Sequence, residues 1–375
     1  MRVLMSGGGT AGHVYPALAV ADQFADAPDE VVFVGTPNGL EARLVPEAGV
    51  SFRPLRAAGF DRARPLTLVT SSLRLAASTV TAWRWLGRDR PDVVMGFGGY
   101  VSIPVGLAAV ARRIPLVVHE QNSVPGLANR TLSRWARTVA VTYAESAELM
   151  GHPERVELTG NPVRPAVLGS ERSAGRAALS LPSEALVLLA FGGSRGARHL
   201  NSALVGIRSR LMAIPGLVVL HVAGAAEAPA VRAGLDAAGG DEGGRWRVLE
   251  YLDDMGSALA ACDLVVARAG ATSIAEITAL GVPAVLVPYP YATEDHQTKN
   301  AASMVAGGAA ELVADVDLDE ERFGDAVAGL LTDDGRRASM AAASRGLGRP
   351  DAADRVANLA REAAGMNPVV GGIDS

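Results

Sequence analysis

The chain has 375 residues, enough for about two or three domains, and a net charge of −5 at pH 7, which argues against a nucleic-acid-binding protein that depends on overall positive charge. Cys262 is the only cysteine, so the sequence excludes an intrachain disulfide and a cysteine-cluster metal site and favours a reducing compartment. No apolar run suits a signal-peptide core or a membrane-spanning helix, and we expect a cytoplasmic protein.

Short aliphatic runs alternate with longer helical patterns along the first half of the chain, as parallel βαβ units require. Strands are predicted at Val3–Ser6, Val31–Val34, Ser51–Leu55, Asp92–Met95, Leu116–His119, Val139–Val141 and Val156–Leu158. Helices are predicted, among others, at Tyr15–Phe24, Leu66–Leu86, Val101–Arg112 and Leu127–Ala136. The segment from Gly160 to Pro165 holds a glycine and two prolines, which helix and strand interiors disfavour, so we interpret it as an interdomain linker.

A second alternation follows the linker. Strands are predicted at Leu186–Phe191, Val218–Val222, Arg247–Glu250, Leu264–Ala267, Ala284–Val287 and Ala310–Leu312. The continuous apolar run of the first of these is typical of a parallel strand covered on both faces. A final helix is predicted at Ala352–Ala363, with a frayed tail at Met366–Ser375. The sequence therefore predicts an α/β protein with two doubly wound parallel-sheet domains and a cleft between them.

The first predicted strand leads into a glycine turn, Gly7-Gly8-Gly9-Thr10-Ala11-Gly12, which fits the dinucleotide-binding pattern G-x-G-x-x-G. That pattern also needs an acidic residue at the end of the second strand to hold a ribose, and this strand ends in Val34-Gly35-Thr36. A P-loop is excluded because His13, and not lysine, follows the turn. The alternative is a tight strand-to-helix turn that needs glycine only for packing.

His13 is a candidate catalytic residue. It stands just before the predicted first helix, whose N-terminus favours the neutral imidazole, and a neutral ring can accept a proton. The alternative is a helix-start or packing residue that takes no part in chemistry.

Two further groups of residues in the first half indicate a ligand. Gly96-Phe97-Gly98-Gly99-Tyr100 is a second glycine turn, followed by a helix whose N-terminus suits an anion such as a diphosphate. His119-Glu120-Gln121-Asn122 ends a buried strand in polar side chains, at the edge where parallel sheets bind ligands. In the alternative interpretation, these polar groups cap the helix near Pro125.

The second half repeats the strand–glycine–helix pattern. Gly192-Gly193-Ser194-Arg195-Gly196 offers backbone donors and a hydroxyl to a phosphate. The segment from Ala269 to Glu276 places two hydroxyls at a helix N-terminus, with the Glu276 carboxylate one turn inside, where it can accept two hydrogen bonds from a ribose diol. A glutamate near a helix start is also favoured by the helix dipole without any ligand.

Neither metal candidate of the second half has a full set of ligands. His296 has no second histidine or cysteine at ligand spacing. We interpret the acidic pair Asp253-Asp254 as a strand exit with an aspartate that caps a helix. The sequence therefore predicts no metal site.

A stripe of apolar residues at helical spacing lies in an arginine-bearing segment of the first half. The apolar residues are Leu66, Val69, Leu73, Val80 and Trp83, and the arginines are Arg62, Arg64, Arg74, Arg84, Arg88 and Arg90. Such a stripe commonly packs against a core. It can also lie on a membrane surface, because basic residues beside apolar surface attract anionic lipid.

Taken together, these segments resemble the MurG family of peptidoglycan N-acetylglucosaminyltransferases. The similar stretches, in the family's order and across most of the chain, are GGGTAGHVYPALAVA, GFGGYVS, HEQN, GNPVR, GGSRGA, EYLDDM, RAGATSIAEI and HQTKNA. The resemblance implies a GT-B fold with an acceptor and membrane-facing domain at residues 1–162, onto which a helix at 351–364 packs back. It also implies a domain at residues 163–350 that binds UDP-GlcNAc, and a flexible tail at 365–375.

The resemblance implies an inverting transfer of GlcNAc from UDP-GlcNAc to the C4 hydroxyl of the MurNAc of lipid I, which gives lipid II in peptidoglycan synthesis. It implies no cofactor and no metal. The implied partners are UDP-GlcNAc, undecaprenyl-linked lipid I, the cytoplasmic face of the cell membrane through a basic and apolar patch, and cell-wall or division proteins, with no nucleic acid. The implied location is cytoplasmic, peripheral on the inner face of the membrane.

The resemblance also assigns roles residue by residue, with His13 as the general base. The implied donor-binding residues are Thr10, Ala11, Gly12, Asn122, Arg164, Ser194, Leu252, Ala271, Thr272, Ser273, Ile274, Glu276 and Gln297. The residues implied for the acceptor or its diphosphate are Gly98, Gly99, Tyr100 and Glu120. Inverting transfer needs a base for the acceptor hydroxyl and stabilisation of the departing UDP, which the helix N-termini after Gly193 and Gly270 can supply.

Other functions fit parts of the same pattern. A UDP-sugar 2-epimerase and a glycosyltransferase with a soluble acceptor use the same fold. A nicotinamide-dependent oxidoreductase would use the first glycine turn, but the missing acid counts against it. A non-catalytic sensor of nucleotide sugars would keep the motifs of the second half and would not need His13.

Overall fold

In a computed structural model, the chain folds into two compact units. Unit 1 comprises Met1–Arg164 together with Arg349–Ser375, and unit 2 comprises Pro165–Gly348. The structure describes residues 1–25, 29–57, 67–193, 197–241 and 243–369. None of the helices in these ranges combines the length and the apolar character needed to cross a membrane.

Unit 1 is built on a seven-stranded parallel sheet with the spatial order β3-β2-β1-β4-β5-β6-β7. The strands are β1 (Arg2–Ser6), β2 (Glu30–Gly35), β3 (Ser51–Pro54), β4 (Val93–Gly96), β5 (Leu116–Glu120), β6 (Thr138–Val141) and β7 (Val156–Leu158). The helices between them are α1 (Ala11–Ala21), α2 (Glu41–Glu47), α3 (Thr67–Asp89), α4 (Ser102–Arg112) and α5 (Leu127–Leu132).

Both faces of this sheet are covered, because successive strand residues point to opposite sides. Met5 packs with α1 on one face, where Val14 is fully buried. Leu4, the preceding residue of β1, packs on the other face with α3 and α4, which contribute Leu86 and Val105. The glycine turn after β1 is therefore anchored between two apolar cores.

Unit 2 is built on a six-stranded parallel sheet with the spatial order β10-β9-β8-β11-β12-β13. The strands are β8 (Leu186–Phe191), β9 (Leu217–Val222), β10 (Trp246–Leu249), β11 (Leu264–Ala267), β12 (Ala284–Leu286) and β13 (Ala310–Leu312). The helices are α6 (Pro165–Leu168), α7 (Arg172–Ala178), α8 (Arg198–Gly206), α9 (Arg208–Met212), α10 (Ala228–Ala237), α11 (Met255–Ala261), α12 (Ala271–Leu280), α13 (His296–Ala306), α14 (Glu321–Thr332) and α15 (Asp334–Leu347).

The last helix, α16 (Ala352–Ala363), belongs to unit 1 and not to unit 2. It buries Val356, Ala357 and Ala360 in the same core as α1 and packs along β4, β5 and β6. The sheet of unit 1 is thus completed by a segment that follows unit 2 in the sequence.

All the predicted strands are present in the described part of the chain, with ends within one residue of the prediction. The start of the first helix was predicted wrongly. The helix begins at Ala11 and not at Tyr15, and Pro16, a residue often found at helix starts, lies in its interior. The Pro16 nitrogen has no hydrogen to donate to the Gly12 carbonyl, and the helix continues past it.

The end of the helix after β5 was also predicted wrongly. α5 ends at Leu132, four residues before the predicted end. The next residue, Ser133, donates its hydroxyl to the Arg130 carbonyl (2.9 Å) and accepts from the Gly151 N–H (2.9 Å). Such side-chain bonds compete with helix continuation.

Candidate active site

In each sheet the strands are added first toward one edge and then toward the other, and the two strands where this direction changes define a switch point. Ligands of doubly wound proteins bind at the switch point, outside the carboxyl ends of the strands. In unit 1 this switch point lies between β1 and β4, and in unit 2 it lies between β8 and β11. Glycine turns follow all four strands, at Gly7–Gly9, Gly98–Gly99, Gly192–Gly193 and Gly270. The sequence motifs thus lie at the two switch points.

The two glycine turns of unit 1 are in contact. A Cβ added to Gly99, which has a φ of +80°, would lie 2.4 Å from the Gly8 carbonyl oxygen. A Cβ added to Gly98, which has a φ of +97°, would lie 3.0 Å from Nε2 of His13. Both positions therefore need glycine, for backbone conformation and for space.

His13 lies in the first turn of α1, inside the helix and not before it as predicted. Its Nδ1 is 2.9 Å from the Gly8 carbonyl oxygen and 3.2 Å from the Thr10 hydroxyl. Because a carbonyl oxygen can only accept, Nδ1 of the neutral ring carries the proton and Nε2 carries the lone pair. Nε2 is the atom beside Gly98, so the basic nitrogen faces the second glycine turn.

Glu41, which the sequence analysis missed, lies behind the first glycine turn. Its side chain is 0% exposed, and its carboxylate accepts from the Thr36 N–H (2.9 Å), the Thr36 hydroxyl (2.7 Å) and the Gly9 N–H (3.3 Å). A Cβ on Gly8 would lie 2.2 Å from Oε1, and one on Gly39 would lie 2.3 Å from Oε2. This crowding exists only in the folded chain, so no signal in the sequence identifies Glu41.

Glu41 also bears on the dinucleotide interpretation. The dinucleotide pattern expects its acid at the end of β2, and Glu41, at the start of α2, reaches back to Thr36, the residue that follows this strand. Its oxygens are engaged by the protein's own Thr36 and Gly9, and it is buried. The acid at this point therefore holds the glycine turn and does not present a carboxylate to a ribose.

The polar run at the end of β5 is buried. Glu120 accepts from the Asn122 N–H (2.9 Å) through Oε1, and from the Gly126 N–H (3.0 Å) and the Asn129 amide (2.9 Å) through Oε2. Burial raises the pKa of Glu120, against the lowering effect of these hydrogen bonds. Gly126 precedes α5, so Glu120 holds the loop that leads into this helix.

His119 joins the same network as a neutral side chain. Burial lowers its pKa to about 4. Nε2 lies 3.2 Å from the Gly160 carbonyl oxygen and Nδ1 lies 3.2 Å from the Gln121 amide nitrogen. Within the described residues, Gln121 Oε1, Asn129 Oδ1 and both amide atoms of Asn161 are buried without a hydrogen-bond partner.

The remaining predicted residues of unit 1 are distributed around these turns. Thr10 precedes α1 with extended backbone, and Ala11 and Gly12 start the helix. Asn122 donates its side-chain amide to Glu120 (3.3 Å). The Arg164 guanidinium lies over the Tyr15 ring, 4.1 Å from its centroid, and Tyr100 is exposed.

In unit 2, α12 begins directly after the switch-point strand β11. Gly270 precedes the helix and has no side chain to cap the first N–H groups, whereas Asp254 caps α11 by accepting from the Ser257 N–H (2.9 Å), as predicted. Ala271, Thr272, Ser273 and Ile274 form the first turn of α12. This N-terminus therefore presents backbone donors and hydroxyls to an anion.

Glu276 lies in the second turn of α12 and is buried. Thr272 Oγ1 is also buried, and no residue in the described ranges hydrogen-bonds to it. The sequence prediction of a hydroxyl-bearing helix start with a carboxylate one turn inside is confirmed in its geometry.

Gln297 and Leu252 follow other strands of the same sheet, β12 and β10. Gln297, at the start of α13, accepts from the Tyr289 N–H (2.9 Å) through Oε1. Leu252 follows β10 and is half-buried against the core. Ser194 and Arg195 lie outside the described residues.

Arg268, which the sequence analysis did not single out, ties down the loop after β12. Its buried guanidinium forms an ion pair with Asp315 (2.5 Å) and donates to the Pro288 carbonyl (3.1 Å). Asp315 is also 2.8 Å from Nδ1 of His199. Although partial burial raises it, the hydrogen bonds from His199 and Arg268 hold the pKa of Asp315 below its usual range.

Metal ligands do not gather in either unit: the described ranges contain no group of three or more His, Cys, Asp or Glu side chains able to hold a metal ion. Two doubly wound parallel sheets, each with glycine turns and polar side chains at its switch point, define a two-domain protein of the nucleotide-binding α/β class.

Comparison with known proteins specifies this class further. Residues 3–141 match the glycosyltransferase family 28 N-terminal domain, and residues 187–356 match the C-terminal domain of the same family. The chain therefore belongs to glycosyltransferase family 28.

A relative from Desulforudis audaxviator is 42% identical over 371 residues, covering 97% of this chain and 99% of the relative, and is named UDP-N-acetylglucosamine--N-acetylmuramyl-(pentapeptide) pyrophosphoryl-undecaprenol N-acetylglucosamine transferase. The crystal structure of MurG from Acinetobacter baumannii is similar with a TM-score of 0.74 and 30% identity, covering 96% of this chain and 99% of that chain. A UDP-N-acetylglucosamine 2-epimerase structure, with a TM-score of 0.69, 16% identity and 99% of both chains covered, shares the fold alone. The predicted GT-B fold is confirmed.

Proposed function

We propose that this chain transfers N-acetylglucosamine from UDP-GlcNAc to the C4 hydroxyl of the MurNAc of lipid I and so forms lipid II in peptidoglycan synthesis. The observation that carries the proposal is the chemistry of the two switch points in a chain of this family. Unit 1 presents a histidine whose basic nitrogen is fixed, and unit 2 presents an uncapped helix N-terminus with a buried carboxylate behind it.

In the proposed reaction, Nε2 of His13 removes the proton from the acceptor hydroxyl. The hydroxyl oxygen bonds to the anomeric carbon of GlcNAc on the face opposite the UDP group. The bond between that carbon and the UDP oxygen breaks, UDP leaves with the electron pair, and the configuration is inverted. The Gly8 carbonyl, which accepts from Nδ1, stabilises the imidazolium that forms.

Unit 2 holds the donor in this proposal. The N-terminus of α12 stabilises the negative charge that develops on the departing UDP, with Thr272 and Ser273 as hydroxyl donors. Glu276 accepts from the ribose diol and Gln297 contacts the sugar. Further donor contacts are assigned to Thr10, Ala11, Gly12, Asn122, Arg164, Ser194, Leu252, Ala271 and Ile274, and acceptor contacts to Gly98, Gly99, Tyr100 and Glu120.

The test is incubation with UDP-GlcNAc and a short-chain lipid I analogue, with release of UDP as the readout. We expect release that depends on the analogue, together with a disaccharide lipid product. Conversion of UDP-GlcNAc to its C2 epimer, UDP-N-acetylmannosamine, without any acceptor would instead indicate a 2-epimerase, and release of UDP with a soluble sugar but not with the analogue would indicate a different transferase. Binding of UDP-GlcNAc without turnover under any of these conditions would indicate a sensor.

We further propose that α3 attaches the protein peripherally to the cytoplasmic face of the membrane. Leu73, Val80 and Trp83 are 66%, 49% and 43% exposed, while the opposite side of the helix buries Ala82 and Leu86. The core interpretation of the stripe therefore does not apply to these three side chains. Leu66, Arg62, Arg64 and the side chain of Val69 lie outside the described part of the chain.

Basic side chains surround the exposed face of α3. Arg112 stacks on Trp83 at 3.7 Å from the ring centroid and donates to the Trp83 carbonyl (2.8 Å). Arg74, Arg84 and Arg88 are exposed on the same helix. An apolar strip with arginines beside it suits the boundary between anionic headgroups and acyl chains.

Vesicle binding tests this attachment. The double variant Leu73→Asn and Trp83→Asn should bind anionic vesicles less and keep its affinity for UDP-GlcNAc, since both side chains are exposed. High salt should release the wild type, because salt screens the attraction between the arginines and the anionic headgroups. The Debye length is about 10 Å at 0.1 M and becomes shorter as the salt concentration rises. Val316→Asn, at an apolar residue of unit 2 that is 78% exposed, is the matched control. Equal vesicle binding by the double variant and the control would contradict the proposal.

A further inference from the structure

The peptide at Gly8 is held from two sides. On one side lies the Glu41 carboxylate, within 2.2 Å of the point where a Gly8 Cβ would stand, and it also accepts from the next N–H, that of Gly9. On the other side lies Gly99, so close that its own Cβ would be 2.4 Å from the Gly8 oxygen and 3.2 Å from the Gly8 nitrogen. The Gly8 carbonyl therefore has little freedom to rotate.

This carbonyl is the group that sets the proton on His13. Its oxygen is 2.9 Å from Nδ1, and that contact requires the proton on Nδ1 and the lone pair on Nε2. If the peptide rotated, the ring could adopt the other tautomer, in which Nε2 carries the proton and cannot act as a base. The Thr10 hydroxyl, 3.2 Å from the same nitrogen, can donate or accept and so does not fix the tautomer, whereas the Gly8 carbonyl can only accept. The basicity of Nε2 therefore depends on the orientation of the Gly8–Gly9 peptide.

We propose that Glu41 is a positioning residue for the reaction at His13, in that it fixes the Gly8–Gly9 peptide and thereby the tautomer of the imidazole. This inference rests on the proposed function for its kinetic part only. Glu41 touches no reacting atom, since it is buried and bonded to Thr36 and Gly9. It acts through the backbone, in the way that an orienting carboxylate acts directly on a histidine in a catalytic triad.

The test variant is Glu41→Gln, which has almost the same shape. Its amide can still accept from Thr36 through its oxygen, but its NH₂ group would meet the Gly9 N–H, donor against donor. The Gly8–Gly9 peptide should then shift. We expect kcat to fall on the order of 100-fold, as for a misplaced catalytic group. The KM for UDP-GlcNAc should stay within about twofold, because unit 2 supplies most of the proposed donor contacts.

A spectroscopic readout separates positioning from general loss of structure. With histidine labelled by 15N in the ring, the six histidines of the chain give few signals, and His13→Ala assigns the relevant one. Wild type should show the Nδ1–H tautomer at His13, and Glu41→Gln should show a mixture or the Nε2–H form. Asp263→Asn is the control, since Asp263 accepts from the Val187 N–H (2.8 Å) and Arg176 in unit 2 and lies near neither switch point.

The outcomes are distinct. An unchanged tautomer and kcat in a folded Glu41→Gln would overturn the inference, and so would a loss of kcat no greater than that of Asp263→Asn. If Glu41→Gln does not fold, Gly8→Ala tests the same point, because a methyl group there displaces the Glu41 carboxylate and the Gly8 φ is not positive. Failure of the proposed function would appear as a wild type that releases no UDP, while the tautomer measurement would still decide the role of Glu41.

Discussion

Each sheet contains a buried neutral histidine near the carboxyl end of a strand, and the two differ in their surroundings. In unit 2, His221 lies 3.0 Å from Asn201 Oδ1 through Nε2 and 3.4 Å from the Trp246 indole nitrogen through Nδ1. The Asn201 amide in turn donates to the Ala223 carbonyl (3.0 Å). Every polar atom of that small network has a partner.

In unit 1, His119 lies in a network in which two amide oxygens receive no hydrogen bond from the described residues. Gln121 Oε1 and Asn129 Oδ1 are buried and have no hydrogen-bond partner in the described ranges. Native interiors rarely leave such atoms unpaired, and exceptions concentrate at functional sites. The comparison indicates that the same residue type completes a core in unit 2 and lines a polar edge, two strands from His13, in unit 1.

The largest expected effect concerns His13, the reactive histidine of unit 1. His13→Ala should lower kcat by about 10²- to 10⁴-fold, the usual contribution of a general base. Donor affinity should change little if unit 2 carries most of the donor contacts, which calorimetric titration with UDP-GlcNAc can measure. The loss of rate at acidic pH that a base produces should flatten in the variant. Near-normal turnover with an unchanged acidic limb would remove His13 from the mechanism.

The second effect concerns Glu276, its counterpart in unit 2. Glu276→Ala should raise the KM for UDP-GlcNAc about 10- to 100-fold, because lost hydrogen bonds to a charged acceptor cost about 1.5–3 kcal/mol. Steady-state kinetics at varied donor concentration, with the acceptor analogue saturating, measures this. Glu227→Ala, at a carboxylate of unit 2 that pairs with Arg198, serves as control. Unchanged donor kinetics in Glu276→Ala would contradict the assignment.

The third prediction concerns the pH dependence of the two buried histidines. Burial lowers the pKa of both His119 and His221 to about 4, whereas the unfolded chain binds these protons near pH 6.5. The unfolded state therefore binds more protons between pH 6.5 and 4, so stability falls as the pH falls through this window. The change is at most about 1.4 kcal/mol per pH unit for each histidine.

Amide exchange of β5 and β9 at pH 7 and pH 5 measures the two units separately. His221→Asn should flatten the pH dependence of β9 and leave that of β5. His119→Asn should do the reverse. If, in the wild type, the protection factors of β5 and of β9 are each the same at pH 7 and at pH 5, the two histidines do not couple folding to pH in this way.

The smallest effect concerns His199, which is half-exposed on α8. Hydrogen bonds to Asp315 and Asp319 raise its pKa. Its stabilising contribution is therefore complete below pH 6.5 and is lost as the pH rises through the raised value. His199→Gln should lower the Tm more at pH 6 than at pH 9, as measured by thermal unfolding. A Tm difference that is constant across pH would contradict this.

The strands and the glycine turns could be predicted because their signals are local. Apolar runs such as Leu186–Phe191 identify buried parallel strands, and the turns at Gly98 and Gly193 follow them directly. The start of α1 could not be predicted, since Pro16 imitates a helix start and only tertiary packing shows that the helix begins earlier.

The site was predictable only where it is contiguous in sequence. His13 and Glu276 stand inside recognisable motifs, whereas Glu41 and Arg268 act across loops on groups that come from other segments. Glu41 lies six residues beyond the end of β2, and its carboxylate returns to that end through folding, where it accepts from the Thr36 N–H. No spacing rule contains that information.

The place of α16 in unit 1 has a consequence for biosynthesis. Unit 2 is a continuous stretch, Pro165–Gly348, and all of it is synthesised before α16. Unit 1, although it begins first, keeps an uncovered apolar strip over β4, β5 and β6 until Val356 and Ala360 arrive. The synthesis of unit 1 therefore ends after that of unit 2, and until then the uncovered strip of unit 1 is the part of the nascent chain that is prone to aggregation.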